Sequence, residues 1–211
     1  MPIRVAVALS LVAGLSYPLA SELALPFAAQ VAWKGLGVGM LALAALLGPP
    51  DRTTRTLAAI LSFGALGDVL LDIRFEAGMV GFAIGHLVAI TLYRRERRAH
   101  PSGADRAVAG TLLVIGAITP AVLLPDGDAR LIPFIVYSLL LCGMAATAWL
   151  SRFPRHLTGL GALMFVASDT LIAVRIGNPA AGPALGLAVW FLYYLGQLLI
   201  YTGVSRRAAT A

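Results

Sequence analysis

Of the 211 residues, 59% are hydrophobic and only 12% charged, and the mean hydropathy is +0.87. Soluble domains carry about twice that share of charge, so the composition excludes an ordinary soluble domain and predicts an integral membrane protein. The formal charge of +6 fits basic membrane-flanking loops rather than a nucleic-acid partner, and the single cysteine, Cys142, leaves no disulfide framework and no cysteine zinc site.

Eight apolar runs follow in chain order, near residues 3–20, 27–47, 56–73, 77–93, 107–124, 131–150, 157–175 and 184–203. Each is long enough for a hydrocarbon core about 30 Å thick. The first has only Arg4 ahead of it and lacks a cleavable signal-peptide pattern. Turn-forming and charged segments separate the runs: "LGPPDRTTR", "YRRERRAHPSGADR", "LPDGDAR", "SRFPRH" and "RIGNPAAGP". The prediction is an all-α, polytopic bundle of eight transmembrane helices, a single transmembrane domain over residues 1–211.

Charge sets the orientation. The two termini and the 2–3, 4–5 and 6–7 loops hold twelve basic residues: Arg4, Arg52, Arg55, Arg94, Arg95, Arg97, Arg98, Arg106, Arg152, Arg155, Arg206 and Arg207. The opposite loops hold Arg74, Arg130 and Arg175 alone. Positive charge stays on the cytoplasmic side, which predicts both termini in the cytoplasm and the chain in the cell (inner) membrane. A faint internal echo accompanies this. "GDVLL" (67–71) and "GHLVAITLY" (85–93) resemble "SDTLI" (168–172) and "GQLLIYTGV" (196–204), so spans 3–4 and 7–8 read as a parallel repeat.

Few strongly polar side chains remain inside the spans: Lys34, Asp68, His86, Asp169 and Gln197, with Glu22 at a span end. An ionisable group at the bilayer centre costs about 2.5–3.5 kcal/mol on insertion scales, so such groups face the bundle interior and pair. At about 1.5 Å of rise per residue, Lys34, Asp68, His86 and Asp169 project to one layer in the outer half of the membrane, with Gln197 deeper. Each also has a packing reading. An aspartate on a small-residue face can simply accept an interhelical hydrogen bond, Lys34 can snorkel outward or neutralise one Asp, and His86 can bridge helices. Gln197 reads as structural, Tyr193 and Tyr194 as packing residues, and Glu22, Asp72 and Glu76 as wet loop residues. The joint pattern of two carboxylates, a cation and an imidazole reads as a site.

Two carboxylates held together away from water cannot both ionise cheaply, which leaves a protonated acid beside an ionised base. That pair suits hydrolysis in which one Asp donates a proton and the other activates water, with Lys34 stabilising negative charge. Zinc hydrolysis needs about three His, Asp or Glu ligands, and His86 is the one histidine within a span; no metal and no cofactor is expected. Serine chemistry has no G-x-S-x-G, and Ser168 is expected to orient Asp169. An aspartyl intramembrane protease is the rival hydrolase, but Gly64 and Gly67 give "GALGD" the wrong spacing.

The segments "LGDVLL" (66–71), "GFAIGHLVAITLY" (81–93), "ASDTLIA" (167–173) and "YYLGQLLI" (193–200), in this order, resemble the YhhN-type lysoplasmalogenase family of multi-span membrane proteins. The resemblance covers nearly the whole chain. It implies cleavage of the vinyl-ether bond of lysoplasmalogen-type lysolipids to a fatty aldehyde and a glycerophospho-alcohol. It also implies that Asp68 and Asp169 are the acid/base pair, that Lys34 is the family's intramembrane lysine, and that a lysophospholipid is the substrate. The family pattern has Pro after that lysine, where this chain has Gly35. Supporting contacts are expected from His86, Ser168, Gln197, Tyr193, Tyr194 and Glu22. The alternative from another class is a proton-coupled transporter or lipid-binding protein using the same Asp/His/Lys layer.

Overall fold

In a computed structural model the described residues are 3–23, 25–124, 127–178 and 182–208. They form eight α-helices: α1 (Ile3–Glu22), α2 (Phe27–Leu46), α3 (Arg52–Ile73), α4 (Phe75–Arg95), α5 (Gly103–Leu123), α6 (Leu131–Leu150), α7 (Leu160–Gly177) and α8 (Pro183–Ala208). A π-helical turn, Arg155–Gly159, leads into α7. All eight helices are long and apolar enough to cross a membrane, in agreement with the predicted spans.

The helix starts differ from the hydropathy pattern where a polar cap extends the helix into the loop. The Asp51 carboxylate accepts from the Thr54 amide (2.9 Å) and hydroxyl (2.8 Å), so α3 begins at Arg52 rather than near residue 56. Ser102 and Asp105 form a reciprocal capping box that starts α5 at Gly103 rather than near residue 107. Burial acts to raise the Asp51 carboxyl, but the hydrogen bonds from Thr54 outweigh it and hold the group below its usual range. A depressed folded-state value means that the stabilisation is present above the unfolded carboxylate pKa and is lost as pH falls through the folded one. Asp51→Ala is therefore expected to cost about 1 kcal/mol at neutral pH. The difference between parent and variant should close below about pH 4, read by thermal unfolding in detergent across a pH series.

The contacts fall into two compact units, one from the N-terminal region to Leu92 together with the chain from Tyr201 on, the other from Tyr93 to Ile200. In the first unit α1 packs on α2 and α2 on α3. The Ser10 hydroxyl donates to the Gly37 carbonyl at 2.6 Å across the α1–α2 contact. Helices α3 and α4 approach closely because small residues face each other: a Cβ on Gly81 would stand 3.2 Å from the Gly67 Cα. In the second unit α5 packs on α6, and α7 on both. Helices α7 and α8 nearly touch at backbone level, where a Cβ on Gly161 would lie 2.5 Å from the Gly196 carbonyl oxygen. Small residues are the usual means of close helix approach in a bilayer, where lipid removes the hydrophobic drive for association.

The α3–α4 and α7–α8 crossings share a detail. A Cβ on Gly85 would meet the Ile60 carbonyl oxygen, the Phe63 Cβ and the Gly64 nitrogen. A Cβ on Gly196 would meet the Gly161 carbonyl oxygen, the Met164 Cβ and the Phe165 nitrogen. Counted back from Asp68 in one pair and from Asp169 in the other, these are the same atoms at the same three positions.

Candidate active site

In the first unit the predicted residues come from four helices. Asp68 lies on the buried face of α3 and is 2% exposed, and His86 on α4 is likewise buried. The α3 helix buries Asp68 because Gly64 and Gly67 flank it on the side that α4 approaches. Lys34 reaches from α2 to α3 and pairs with Asp72 at 2.6 Å, both side chains being partly shielded. Asp72 is one helical turn beyond Asp68 on the same face, so α3 presents two carboxylates in succession. The Tyr17 hydroxyl of α1 lies within electrostatic reach of both Asp72 and Asp68. Glu22, at the end of α1, is exposed.

Two of these contacts were not expected. Asp72 reads as a loop residue in the sequence, yet it is the ion-pair partner of Lys34. Its i, i+4 spacing from Asp68 was the available signal. Gly35, which stands where the family pattern has Pro, lets α2 sit against α3: a Cβ there would fall 2.7 Å from a Val69 methyl. The neighbour of Lys34 thus serves the approach that brings the ammonium to Asp72.

In the second unit Asp169 on α7 accepts a hydrogen bond from the Tyr137 hydroxyl of α6 at 2.6 Å. Tyr137 is a polar interruption in the most apolar of the eight spans, and sequence reasoning passed over it. Ser168 was expected to orient Asp169. Its hydroxyl instead donates to the Val189 carbonyl of α8 at 2.9 Å, tying α7 to α8. A serine hydroxyl in a membrane helix donates to a carbonyl within reach, and here that carbonyl is on the neighbouring helix.

Helix α8 lines its buried face with aromatic rings. Trp190 stacks on Tyr194 at 6.1 Å between centroids and 8° between planes, and Tyr193 meets the Phe165 ring edge-on at 5.1 Å. Tyr193 and Tyr194 are thus packing residues by geometry, as their apolar setting suggests. Gln197, one turn further, is 3% exposed, and its Oε1 has no hydrogen-bond donor among the described residues. A buried acceptor of that kind is ordinarily met by an ordered water or a ligand donor. Among the described residues no group of three His, Cys, Asp or Glu side chains is placed to hold a metal ion.

Chemically, each unit offers a carboxylate within a span that has a specific neighbour: Asp68, buried beside the Lys34–Asp72 pair, and Asp169, half-buried under the Tyr137 hydroxyl. Such groups can hold or release a proton, and each is fixed by helices rather than loops.

Comparison with known proteins adds a family. The model of the YhhN family matches residues 29–204. Proteins named lysoplasmalogenase from Mycobacterium bovis and Mycobacterium tuberculosis are each 34% identical over 203 residues, spanning 91% of this chain and 76% of theirs. No solved structure gives a significant match.

Proposed function

The chain belongs to the YhhN family, and we propose that it is a membrane-embedded hydrolase that cleaves the vinyl-ether bond of lysoplasmalogen-type lysolipids. The observation that carries this reading is the similarity along nearly the whole chain to two proteins named lysoplasmalogenase. A buried aspartate on α3 and a half-buried one on α7 supply groups suited to the chemistry. A lysophospholipid is the substrate, and its single chain lies in the hydrocarbon.

The reaction needs one proton donor, one proton acceptor and water. Protonation of the β-carbon of the vinyl ether breaks the C=C π bond and gives an oxocarbenium ion. Water adds to that cation and loses a proton, forming a hemiacetal. The hemiacetal collapses to a fatty aldehyde and a glycerophospho-alcohol, so one water is consumed per bond cleaved. Asp68 and Asp169 carry the proton transfers in this reading, as a carboxylate pair does in glycoside hydrolysis. Lys34 and Asp72 balance charge beside Asp68, and the Tyr137 hydroxyl positions the Asp169 carboxyl. Both termini are cytoplasmic, from the charge of alternate loops, and the membrane is the cell (inner) membrane. The chain acts as one transmembrane domain in which α3–α4 and α7–α8 are parallel repeats. The matching atoms at the two glycine crossings support that duplication.

The test is release of fatty aldehyde from a lysoplasmalogen by the purified protein in detergent, with the saturated-ether lysolipid as a substrate that cannot form the cation. Aldehyde from the first and none from the second is expected. Absence of product together with uptake of lysolipid driven by a pH gradient would instead identify a transporter. Within the hydrolase reading, Tyr137→Phe should lower kcat about tenfold with KM nearly unchanged, since a hydrogen bond to a charged group is worth about 1.5–3 kcal/mol and the phenol does not bind the lipid tail. Equal kcat in parent and variant would leave the Tyr137 contact without a role in the reaction.

A further inference from the structure

We propose that the α4–α5 and α6–α7 loops together form a platform that binds the phosphate headgroup of an anionic phospholipid. The loops are joined along their backbones. The Arg98 amide donates to the Leu150 carbonyl (3.1 Å), the Arg152 amide to the Glu96 carbonyl (2.7 Å), and Arg97 bridges Ser151 in antiparallel fashion. Below them Asp105, 5% exposed, accepts from the Arg155 guanidinium at 2.6 Å and lies 3.7 Å from that of Arg98. Arg155 also covers the Trp149 ring.

Asp105 thus accounts for two of the arginines gathered here. Arg94, Arg95, Arg97, Arg106 and Arg152 are exposed around it, the Arg152 guanidinium donating to the Arg97 carbonyl and that of Arg106 to the Pro101 carbonyl, each at 3.3 Å, and the other acid of these loops, Glu96, is half-buried. Membrane topology requires positive charge on one side of the bilayer, but a flexible loop satisfies that requirement. Topology does not require two loops to be hydrogen-bonded into one scaffold that displays guanidiniums in a small area. Guanidinium is also the cation whose planar fork matches phosphate.

The lipid, rather than a soluble phosphate, follows from what adjoins the charges. Arg106 sits in the first turn of α5, and the exposed face of that helix continues through Gly110, Leu113, Val114, Ile118 and Val122. Nothing approaches within 4 Å of a Cβ placed on Gly110, so this face is open directly below the arginine. Helix α5 is also the least buried of the eight spans, at 22%. A cation at the rim of an open apolar face matches an amphiphile with an anionic head and an acyl chain. A free anion would leave the apolar half unused.

The experiment uses the full chain in a neutral detergent. Dihexanoyl phosphatidylglycerol, dihexanoyl phosphatidylcholine and inorganic phosphate are titrated separately, and the thermal unfolding midpoint and lipid retention in native mass spectrometry are read. The anionic lipid is expected to raise the midpoint and stay bound, and the other two to do neither at equal concentration. Removing three surface cations in R94Q/R97Q/R106Q should weaken phosphatidylglycerol binding roughly a hundredfold, whereas R52Q/R55Q should leave it unchanged. If the triple variant does not fold, Arg106→Gln alone should weaken it about fivefold. Equal binding of both lipids, protection by phosphate alone, or unchanged affinity in a folded arginine variant would each overturn the proposal.

Discussion

Asp68→Asn and Asp169→Asn should each lower aldehyde release from lysoplasmalogen by a factor of about 10²–10⁴, the usual contribution of a positioned acid or base. Asparagine keeps the volume and can still accept a hydrogen bond, so it tests the proton and not the packing. Asp68 is 2% exposed on a helix whose neighbouring Gly67 packs against the Phe82 ring of α4. At Asp169 the asparagine oxygen can still accept from the Tyr137 hydroxyl, whose bond to the aspartate is 2.6 Å long. Both variants are therefore expected to keep their unfolding midpoint while losing turnover. A control comes from the loop before α6. Arg130 binds Asp128 through its side chain and backbone and holds that carboxyl down at about 2, so Asp128 is an ionised, ion-paired group outside the spans throughout any assay near neutral pH. Asp128→Asn should leave aldehyde release unchanged. If a folded Asp68→Asn or Asp169→Asn variant retains more than a tenth of the parental rate, that residue is neither acid nor base.

Lys34 and Asp72 call for a separate expectation within the same scheme, because the ion pair joins α2 to α3 one turn beyond Asp68. Its loss would move that carboxylate as well as its charge environment, so effects on rate and stability should appear together. The Asp68 substitution affects rate alone.

The eight spans were legible because the thickness of the hydrocarbon core imposes a length that composition reveals directly. Helix ends were less so. Asp51 and Ser102 extend α3 and α5 into polar sequence through hydrogen bonds that no hydropathy average registers. The family was legible in the order of four short segments, and the match over residues 29–204 agrees with it. Side-chain pairing was the hardest to read. Depth along a helix axis can be counted from a span boundary, but the count carries no information on which face a residue occupies. Lys34 accordingly drew attention to Asp68 and Asp169, while its partner proved to be Asp72, which sits at the helix end and resembles a loop residue in sequence. Tyr137 was missed for a related reason. A tyrosine in an apolar run is read as a ring, and only the fold shows that its hydroxyl meets Asp169. The Ser168 hydroxyl donates to the Val189 carbonyl, a contact the sequence did not show because adjacency places neighbouring side chains on different faces of a helix.

Asp105→Ala is expected to destabilise the protein by about 3 kcal/mol, the low end of the cost of breaking a buried ion pair. Three losses combine. The Arg155 and Arg98 guanidiniums lose their carboxylate, and the Ser102 amide loses the acceptor that closes the α5 capping box. The value sits at the low end because the Arg155 side chain is 42% exposed and can rehydrate, while that of Arg98, at 23%, is more confined. Arg98 already has one buried nitrogen with no hydrogen-bond partner among the described residues, so its remaining attraction to Asp105 is the main compensation for placing it there. Asp105→Asn separates the contributions. It preserves an oxygen for the Ser102 amide but removes the charge, and it should cost less than the alanine variant. Adding Arg98→Gln to Asp105→Ala should recover part of the loss, because the strain lies in the cation left behind. Chemical or thermal unfolding in detergent, followed by tryptophan emission, reads all three. An Asp105→Ala protein within about 0.5 kcal/mol of its parent, the range of an ordinary surface substitution, would show that the backbone bonds between the two loops hold the arginines in place without the carboxylate beneath them.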